Sequence, residues 1–375
     1  MARSARRRAR LGSPGSGSGR IAAIQWTALV ALLLLLPLIG AAQSDDDATA
    51  VSHTPWGHPD LQGIWDFRTL TPLERPPELG GRPFFTDEEA DEFAARLLQR
   101  WRQGPYRQIS PLAAAGGGGD FGTAVTPDKR SSLIVDRPDG RIPPLTPQAE
   151  ATVRVPRRRP ITERVVEGAV GDGPEDLGLF ERCILGINSG PPMTPSVFNN
   201  NVQILQTPGY VVLLNEMIHD ARIVPIDGRP HLSATIPQWM GDSRGHWEGD
   251  TLVVDTTNFS DKASFNGDFL GRGRRGGSGE AFHVVERFTR VGADTLRYEF
   301  TVDDPTWWTT PWSAALPMQR TDGPLFEFAC HEGNRSMAGM LSGARAQERA
   351  EQAQETDMKG TRRAVPLNAP IRARP

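Results

Sequence analysis

The sequence lacks the short motifs that identify several common classes of enzyme. Two of its 375 residues are cysteine and seven are histidine, and it has no C-x-x-C pair that would mark a redox or zinc centre. There is no Walker A pattern, no G-x-G-x-x-G after a predicted strand and no G-x-S-x-G nucleophile elbow. These absences argue against nucleotide-dependent enzymes and ordinary serine hydrolases.

A metal-binding motif is also missing. His331 and Glu332 resemble the start of the zinc motif H-E-x-x-H, but residue 335, where the second histidine would stand, is arginine. A metal site would therefore need ligands that converge from distant loops. We predict neither a metal ion nor any other cofactor.

The first 42 residues are typical of an export signal. Residues 1–20 contain six arginines and no acidic residue, an apolar run follows from Trp26 to Leu38, and small residues lead up to Ala42. This arrangement predicts a secretory signal that is cleaved after Ala42. The alternative is an uncleaved inner-membrane anchor, because residues 21–42 are long enough to span a bilayer. We therefore expect a periplasmic or secreted protein, anchored if cleavage fails.

Removal of this segment leaves an acidic protein. The chain then has 36 basic and 45 acidic residues, a net charge of −9. Nucleic-acid binding needs clustered positive charge, so we expect no nucleic-acid partner, and membrane contact only through residues 21–42. The two cysteines, Cys183 and Cys330, could form a disulfide in an oxidising compartment. Their spacing does not distinguish a disulfide from two buried thiols.

The region 43–195 is irregular and rich in proline and glycine, and we expect it to wrap the core. Its one clear element is Thr86–Trp101, where Phe93 and Leu97 recur at the spacing of an amphipathic helix. Thr86 is a good N-cap, and the acidic residues that follow it favour the helix dipole.

Short β-branched and aromatic runs separated by turn residues dominate the region 196–335. This pattern predicts a mainly β fold, in which an antiparallel meander closes into a barrel or sandwich. Leu325–Cys330 is predicted as the last strand. The region 336–375 is predicted as a polar helix, centred on Ala344–Glu355, and a flexible tail.

The Gly249-Asp250 turn predicts a two-residue hairpin whose register can be read from the sequence. Glu248 then faces Thr251, His246 faces Val253 and Arg244 faces Asp255. Alternation places a mainly polar set on one face, namely Arg244, His246, Glu248, Thr251, Asp255 and Thr257, and Trp247, Leu252 and Val254 on the other. His246 and Glu248 are candidate acid–base groups. The alternative is an ion-pair ladder that faces solvent.

Other polar groups cluster after predicted strands. His219 and Asp220 lie in a short polar connection, where binding groups often concentrate, although local capping would also explain them. His331 follows the predicted last strand. On another strand, alternation puts His283 and Arg287 on one face and Glu286 on the other. The candidate catalytic residues are His246, Glu248, His219, Asp220 and His331.

Candidate ligand-binding residues come from basic, amide and aromatic side chains near these positions. Exposed tryptophan beside carboxylates is a common platform for sugars and other flat ligands, but bulky aromatics are usually core residues. The candidates are Arg222, Arg244, Asn200, Trp239 and Trp308.

Two long strings carry a resemblance to a known family. Residues 58–65 read HPDLQGIW and residues 241–254 read GDSRGHWEGDTLVV. The chain resembles, from about Pro55 to Gly343, a family of exported bacterial proteins of unassigned function. The resemblance implies no catalytic residue. The strand spacing is also similar to that of lipocalin-like barrels, as an analogy of architecture that does not fix function.

The sequence therefore predicts an exported β-rich domain that binds a small organic or glycan ligand in a polar cleft. An alternative is an acid–base enzyme, such as a hydrolase, lyase or isomerase, that uses a His/Glu pair in the same cleft. A second alternative is a structural or interaction protein of the envelope. Convergence of His219, His246, Glu248 and His331 in one pocket would favour the enzyme.

Overall fold

The centre of the protein is a nine-stranded antiparallel sheet. The structure is a computed structural model, and it describes residues 52–103, 122–154, 173–196, 198–262, 279–332 and 334–363. The strands are β1 (Gly63–Asp66), β2 (Asn201–Gln206), β3 (Tyr210–Asn215), β4 (Ala221–Pro225), β5 (Asp242–Glu248), β6 (Thr251–Thr257), β7 (His283–Arg290), β8 (Thr295–Asp303) and β9 (Trp312–Thr321).

Two meanders make up this sheet. The strand order is β4-β3-β2-β1-β9-β8-β7-β6-β5, so β1 joins the meander β2–β4 to the meander β5–β9. The predicted mainly β, antiparallel meander is confirmed. The sequence predicts that the region 43–195 wraps the core. The structure shows that this region supplies β1 to the middle of the sheet. Four residues are too few for alternation to reveal a strand.

The sheet curls until its two edge strands approach each other. A Cβ at Gly245 of β5 would lie 2.9 Å from Val224 Cγ1 of β4 and 2.8 Å from Ile226 Cγ2, so only glycine permits this contact. The residue pairing within the sheet includes no ladder between β4 and β5. The sheet is therefore curled but not closed into a barrel.

Large side chains fill the inside of the curled sheet. Trp65, Tyr298, Phe300 and Trp312 are fully buried there, and Phe300 and Trp312 meet edge to face with ring centroids 5.8 Å apart. Burial of a side chain of this size contributes about 1.5–3 kcal/mol relative to exposure. The inner face is thus a packed core, so a candidate site of polar side chains is expected on the outer face or in the loops.

The predicted hairpin is confirmed in register. Glu248 pairs with Thr251, His246 with Val253 and Arg244 with Asp255. Gly249 has φ +57, a left-handed conformation that glycine adopts without strain. The sequence strings 58–65 and 241–254 meet at this hairpin, because the ring of His58 stacks on Trp247 with centroids 4.9 Å apart.

The predicted strand Leu325–Cys330 is wrong, since these residues form no strand and β9 is the last strand in the described part of the chain. The sequence does not predict β9 because the strand contains Pro317, and a proline within a run of residues argues against a central strand. The N–H of Ala315 points away from β8 to Leu133 O. The N–H that Pro317 lacks, two residues later, would point the same way, so no β8–β9 hydrogen bond is lost.

The described part of the chain has three α-helices: α1 (Asp87–Gln103), α2 (Pro147–Arg154) and α3 (Arg335–Arg363). The predicted helix α1 is confirmed, and Thr86 and Glu89 cap it reciprocally: Glu89 N donates to Thr86 Oγ1 at 3.2 Å and Thr86 N donates to Glu89 Oε2 at 3.0 Å. Helix α3 is longer than its predicted centre, Ala344–Glu355.

Cys183 and Cys330 form a disulfide, with Cα atoms 5.7 Å apart. The structure thus decides a question that their spacing leaves open. Asn334 reinforces the link, because its Nδ2 donates to Glu181 O at 2.9 Å. Among the described residues, no helix combines the length and the apolar character needed to cross a membrane. The predicted export segment, residues 1–42, lies outside the described residues.

Candidate functional site

Four ionisable side chains from separate segments meet on the outer face of the sheet. Asp255 Oδ1 lies 2.8 Å from His231 Nε2, and Asp255 Oδ2 lies 2.7 Å from His283 Nε2. On its other side, His231 Nδ1 lies 3.1 Å from Asp242 Oδ2. These residues, His231, Asp242, Asp255 and His283, are called the His–Asp cluster below.

The strand register explains why the cluster forms. Asp242 opens β5 opposite Thr257, near the end of β6, and His283 opens β7, two residues before the partner of Asp255. Alternation points these three side chains outward, as the buried neighbours Val254 and Val284 point inward. His231 comes from the connection between β4 and β5 and completes the cluster from above the sheet.

Hydrogen bonding favours the charged forms of the Asp255–His283 pair. Burial acts to raise the pKa of Asp255, but the hydrogen bonds and charges of His283 and His231 outweigh it, so this pKa is lowered. The hydrogen bond to Asp255 raises the pKa of His283 against the effect of burial, and the nearby carboxylate of Asp303 adds to the rise. An ionised carboxylate and a protonated imidazole therefore stabilise each other on this surface.

Asp242 and Arg244 fasten the connection 226–241, which we call the site loop, to β5. Asp242 Oδ2 accepts a hydrogen bond from Leu232 N at 2.8 Å. Arg244 Nη1 donates to Asp242 Oδ1 at 2.6 Å, and Arg244 Nε donates to Pro230 O at 2.9 Å. The predicted ligand-binding residue Arg244 thus lies directly behind the cluster and holds the loop that covers it.

The site loop presents apolar side chains from a fixed backbone. Leu232, Ile236 and Trp239 are 43%, 48% and 37% exposed. Gln238 N donates to Asn258 O at 2.8 Å, and Asn258 Nδ2 donates to Leu232 O at 2.7 Å. Single exposed apolar residues are normal on a protein surface and need no explanation. Three of them on one tethered loop indicate a candidate contact surface.

The predicted pair His246 and Glu248 lies further along β5 on the same outer face. His246 Nε2 is 3.1 Å from Glu248 Oε1, and Arg287 Nη2 donates to Glu248 Oε2 at 2.8 Å. The His246 and Glu248 side chains are 55% and 49% exposed. Hydrogen bonds from Arg287 and then His246 lower the pKa of Glu248. This geometry is that of an ion-pair ladder facing solvent.

His219 and Asp220 lie in the turn between β3 and β4. Ile218 and His219 have φ +57 and +47, a costly conformation for residues other than glycine. The Asp220 carboxylate accepts a hydrogen bond from Gly186 N at 3.0 Å. Burial raises its pKa, against the effect of hydrogen bonds from Gly186 and Ser189.

The structure does not gather the predicted catalytic residues in one place. His246 follows Gly245, which packs against Val224, and His219 precedes Val224 by five residues, or on the order of 15 Å of strand. His331 is exposed and follows the disulfide-bonded Cys330, at the same end of the fold as Gly186 and Asp220.

Three predicted ligand-binding residues are buried. Two of them hydrogen-bond to other residues of the protein, and the third packs in the core. Arg222 Nη2 donates to Glu286 Oε1 at 2.9 Å inside the sheet, where Tyr298 Oη also donates to Glu286 at 2.7 Å. Asn200 Oδ1 accepts a hydrogen bond from Ser196 N at 2.7 Å. Trp308 lies in the core, 2% exposed.

None of the four cluster residues is among the site residues predicted from the sequence. Alternation assigns Asp255 and His283 to a face of their strands, but it does not single them out as site residues. His231 lies in an irregular connection, where no periodicity assigns a direction to a side chain, and Asp242 precedes Arg244, the first residue for which the hairpin register is predicted. The described ranges contain no group of three or more His, Cys, Asp or Glu side chains placed to hold a metal ion.

Fold and site together define a curled antiparallel β-sheet protein with a His–Asp cluster and an apolar loop on its outer face. No protein-family model, curated protein or solved structure matches the chain.

Proposed function

We propose that the protein is an exported β-sheet domain that binds a small organic ligand, of the glycan class, between the His–Asp cluster and the site loop. One observation carries the proposal: the loop that exposes Trp239 and two aliphatic side chains also carries His231, which is partly exposed together with Asp255 and His283. An indole face stacks on the apolar side of a sugar ring, and carboxylate oxygens accept hydrogen bonds from hydroxyl groups. Small-molecule sites combine such surfaces with a few polar groups.

Two features support a location outside the cytoplasm. The Cys183–Cys330 disulfide is a bond that persists in oxidising compartments and is rare in the cytosol. The basic and apolar composition of residues 1–42 is typical of a secretory signal or anchor. The resemblance to exported bacterial proteins agrees with both.

A thermal-shift screen of the purified chain from residue 43, against monosaccharides, oligosaccharides and phenolic glycosides, tests the proposal. A ligand that binds the folded state raises the melting temperature. We expect Trp239→Ala and Asp255→Asn to abolish the shift. Phe326→Ala is the matched control, because Phe326 is 67% exposed and lies outside the site loop. Equal binding by Trp239→Ala and Phe326→Ala, or no shift with any sugar, would refute the proposal.

An acid–base enzyme is the second candidate, at a different pair from the one predicted. Asp255 orients His283 through the 2.7 Å hydrogen bond, as a carboxylate orients the general base in many hydrolases. If the site is catalytic, His283→Asn will abolish turnover of chromogenic glycosides or esters, whereas His246→Asn will not. Ligand binding without turnover would exclude the enzyme and support only the ligand-binding function.

A further inference from the structure

Both ring nitrogens of His231 face carboxylate oxygens. Nδ1 lies 3.1 Å from Asp242 Oδ2, and Nε2 lies 2.8 Å from Asp255 Oδ1. A neutral imidazole has one N–H and one lone pair, whereas an imidazolium has two N–H groups. Neutral His231 can therefore donate to only one of the two carboxylates, and its lone pair then faces the oxygen of the other.

The two carboxylates are poor sources of the missing proton. Asp242 Oδ2 already accepts a hydrogen bond from Leu232 N, and Asp242 Oδ1 accepts one from Arg244 Nη1. Both oxygens therefore act as acceptors. The other oxygen of Asp255, Oδ2, hydrogen-bonds to Nε2 of a second imidazole, that of His283. Only the doubly protonated form of His231 donates to both carboxylates at once.

We propose that His231 is a positioning residue that, as an imidazolium, clamps the site loop onto β5 and β6. The consequence for ligand binding rests on the proposed function: the second proton of His231 adds a contact that fixes the loop beside Leu232, in addition to the tethers from Arg244 and Asn258. Leu232 is the reporter of this clamp, because its N–H shares Asp242 Oδ2 with the His231 ring.

Other charged groups face the cluster from each neighbouring strand. Arg244 on β5 pairs with Asp242 through the oxygen that His231 does not use. His283 on β7 uses the second oxygen of Asp255, and Asp303 on β8 acts on His283. Loss of the proton from His283 therefore leaves both contacts of His231 in place, and the variant His283→Gln separates the effect of His283 from that of His231.

Hydrogen–deuterium exchange of the ligand-free protein tests the clamp. Histidine side chains change charge between roughly pH 5 and pH 8. After correction for intrinsic exchange rates, we expect protection of the Leu232 amide to fall about tenfold or more across this interval, since a hydrogen bond to a charged group is lost. The His283→Gln variant should retain this fall.

Variants at position 231 separate charge from shape. His231→Gln should give low protection that does not depend on pH. His231→Arg, which keeps a positive charge at every pH tested, should restore protection at pH 8. His246→Gln is the matched control, because His246 is exposed on the same strand, and it should retain the wild-type profile.

Two outcomes would overturn the clamp: wild-type protection that is constant from pH 5 to pH 8, or His231→Gln with wild-type protection throughout. If a variant fails to fold, the wild-type pH profile alone decides the question. No ligand enters the experiment, so a failure of the clamp and a failure of the proposed binding function are distinguishable.

Discussion

At the residue scale, the buried pair Arg222–Glu286 is where a single substitution has the largest expected effect. Both side chains are almost fully buried and joined by two hydrogen bonds. Arg222→Met leaves an uncompensated buried carboxylate, so we expect a loss of about 3–5 kcal/mol in the free energy of unfolding. The double variant Arg222→Met/Glu286→Leu should recover much of this loss. Urea unfolding measures both, and equal losses would contradict this account.

The His–Asp cluster should make stability depend on pH in a defined direction. Asp255 has a folded pKa below its ordinary 3.8, so its contribution is present above 3.8 and is lost as pH falls through the folded value. His283 has a folded pKa above its ordinary 6.5, so its contribution is present below 6.5 and is lost as pH rises through the folded value. The combined stabilisation is greatest between these two ordinary values.

The Asp255→Asn variant tests this dependence. Its melting temperature should fall furthest below that of the wild type within the interval from 3.8 to 6.5, and the deficit should shrink on both sides. Asp250→Asn is the control, because Asp250 is exposed at the hairpin turn. A deficit that is the same at every pH would show that the pair is not ionised as described.

Asp220 is expected to respond differently to two small substitutions. Its carboxylate accepts Gly186 N, and burial raises its pKa because the charged form is poorly solvated. Asp220→Asn keeps an acceptor and removes the charge, so stability at neutral pH should hold or rise. Asp220→Ala leaves Gly186 N without this acceptor and should lower stability. Melting curves of both variants distinguish a structural carboxyl from one that must ionise.

At the scale of elements, the hairpin β5–β6 shows what a sequence specifies well. A two-residue turn fixes the register, and alternation places Leu252 and Val254 on the face opposite His246 and Asp255. The strand β1 gives neither signal, because it has four residues and no adjacent turn. The strand β9 is concealed by Pro317, whose tolerance depends on which way the neighbouring N–H groups point, a property of the folded sheet.

The same limit applies to the candidate site. Alternation correctly places His246, Glu248 and Asp255 on one outer face, but it does not say which of them another segment covers. The site loop returns over Asp255 and leaves His246 and Glu248 in solvent. Because His231 arrives from an irregular connection, its partners are fixed by tertiary structure and not by local pattern.

At the scale of the whole molecule, the outer face of the sheet has two different halves. Across β5–β7 it is charged, whereas no outward-facing residue of β2, β3 or β4 carries a charge. Leu205, Val212 and Ile223 lie there in one cross-strand row, and Ile223 is 64% exposed. This apolar row is the surface on which the hypothesis of an envelope interaction protein would be tested.

The disulfide is the longest-range covalent link in the described fold, and it sets the last prediction. It joins positions 147 residues apart and ties the segment before α3 to the loop that holds Asp220. Cross-linking of distant residues restricts the unfolded chain, so its removal should lower the free energy of unfolding by about 2–5 kcal/mol. We expect this loss for the variant Cys183→Ser/Cys330→Ser in guanidinium unfolding.

Local readouts should follow the position of the bond. Hydrogen exchange should rise near Glu181 and Asn334, which hydrogen-bond beside it, while the Leu232 amide in the distant site loop keeps its protection. A reductant should lower the unfolding midpoint of the wild type and leave the double serine variant unchanged, which separates loss of the bond from side effects of the reagent. An unchanged wild-type midpoint would mean that the two thiols are free, and would remove the structural argument for an oxidising compartment.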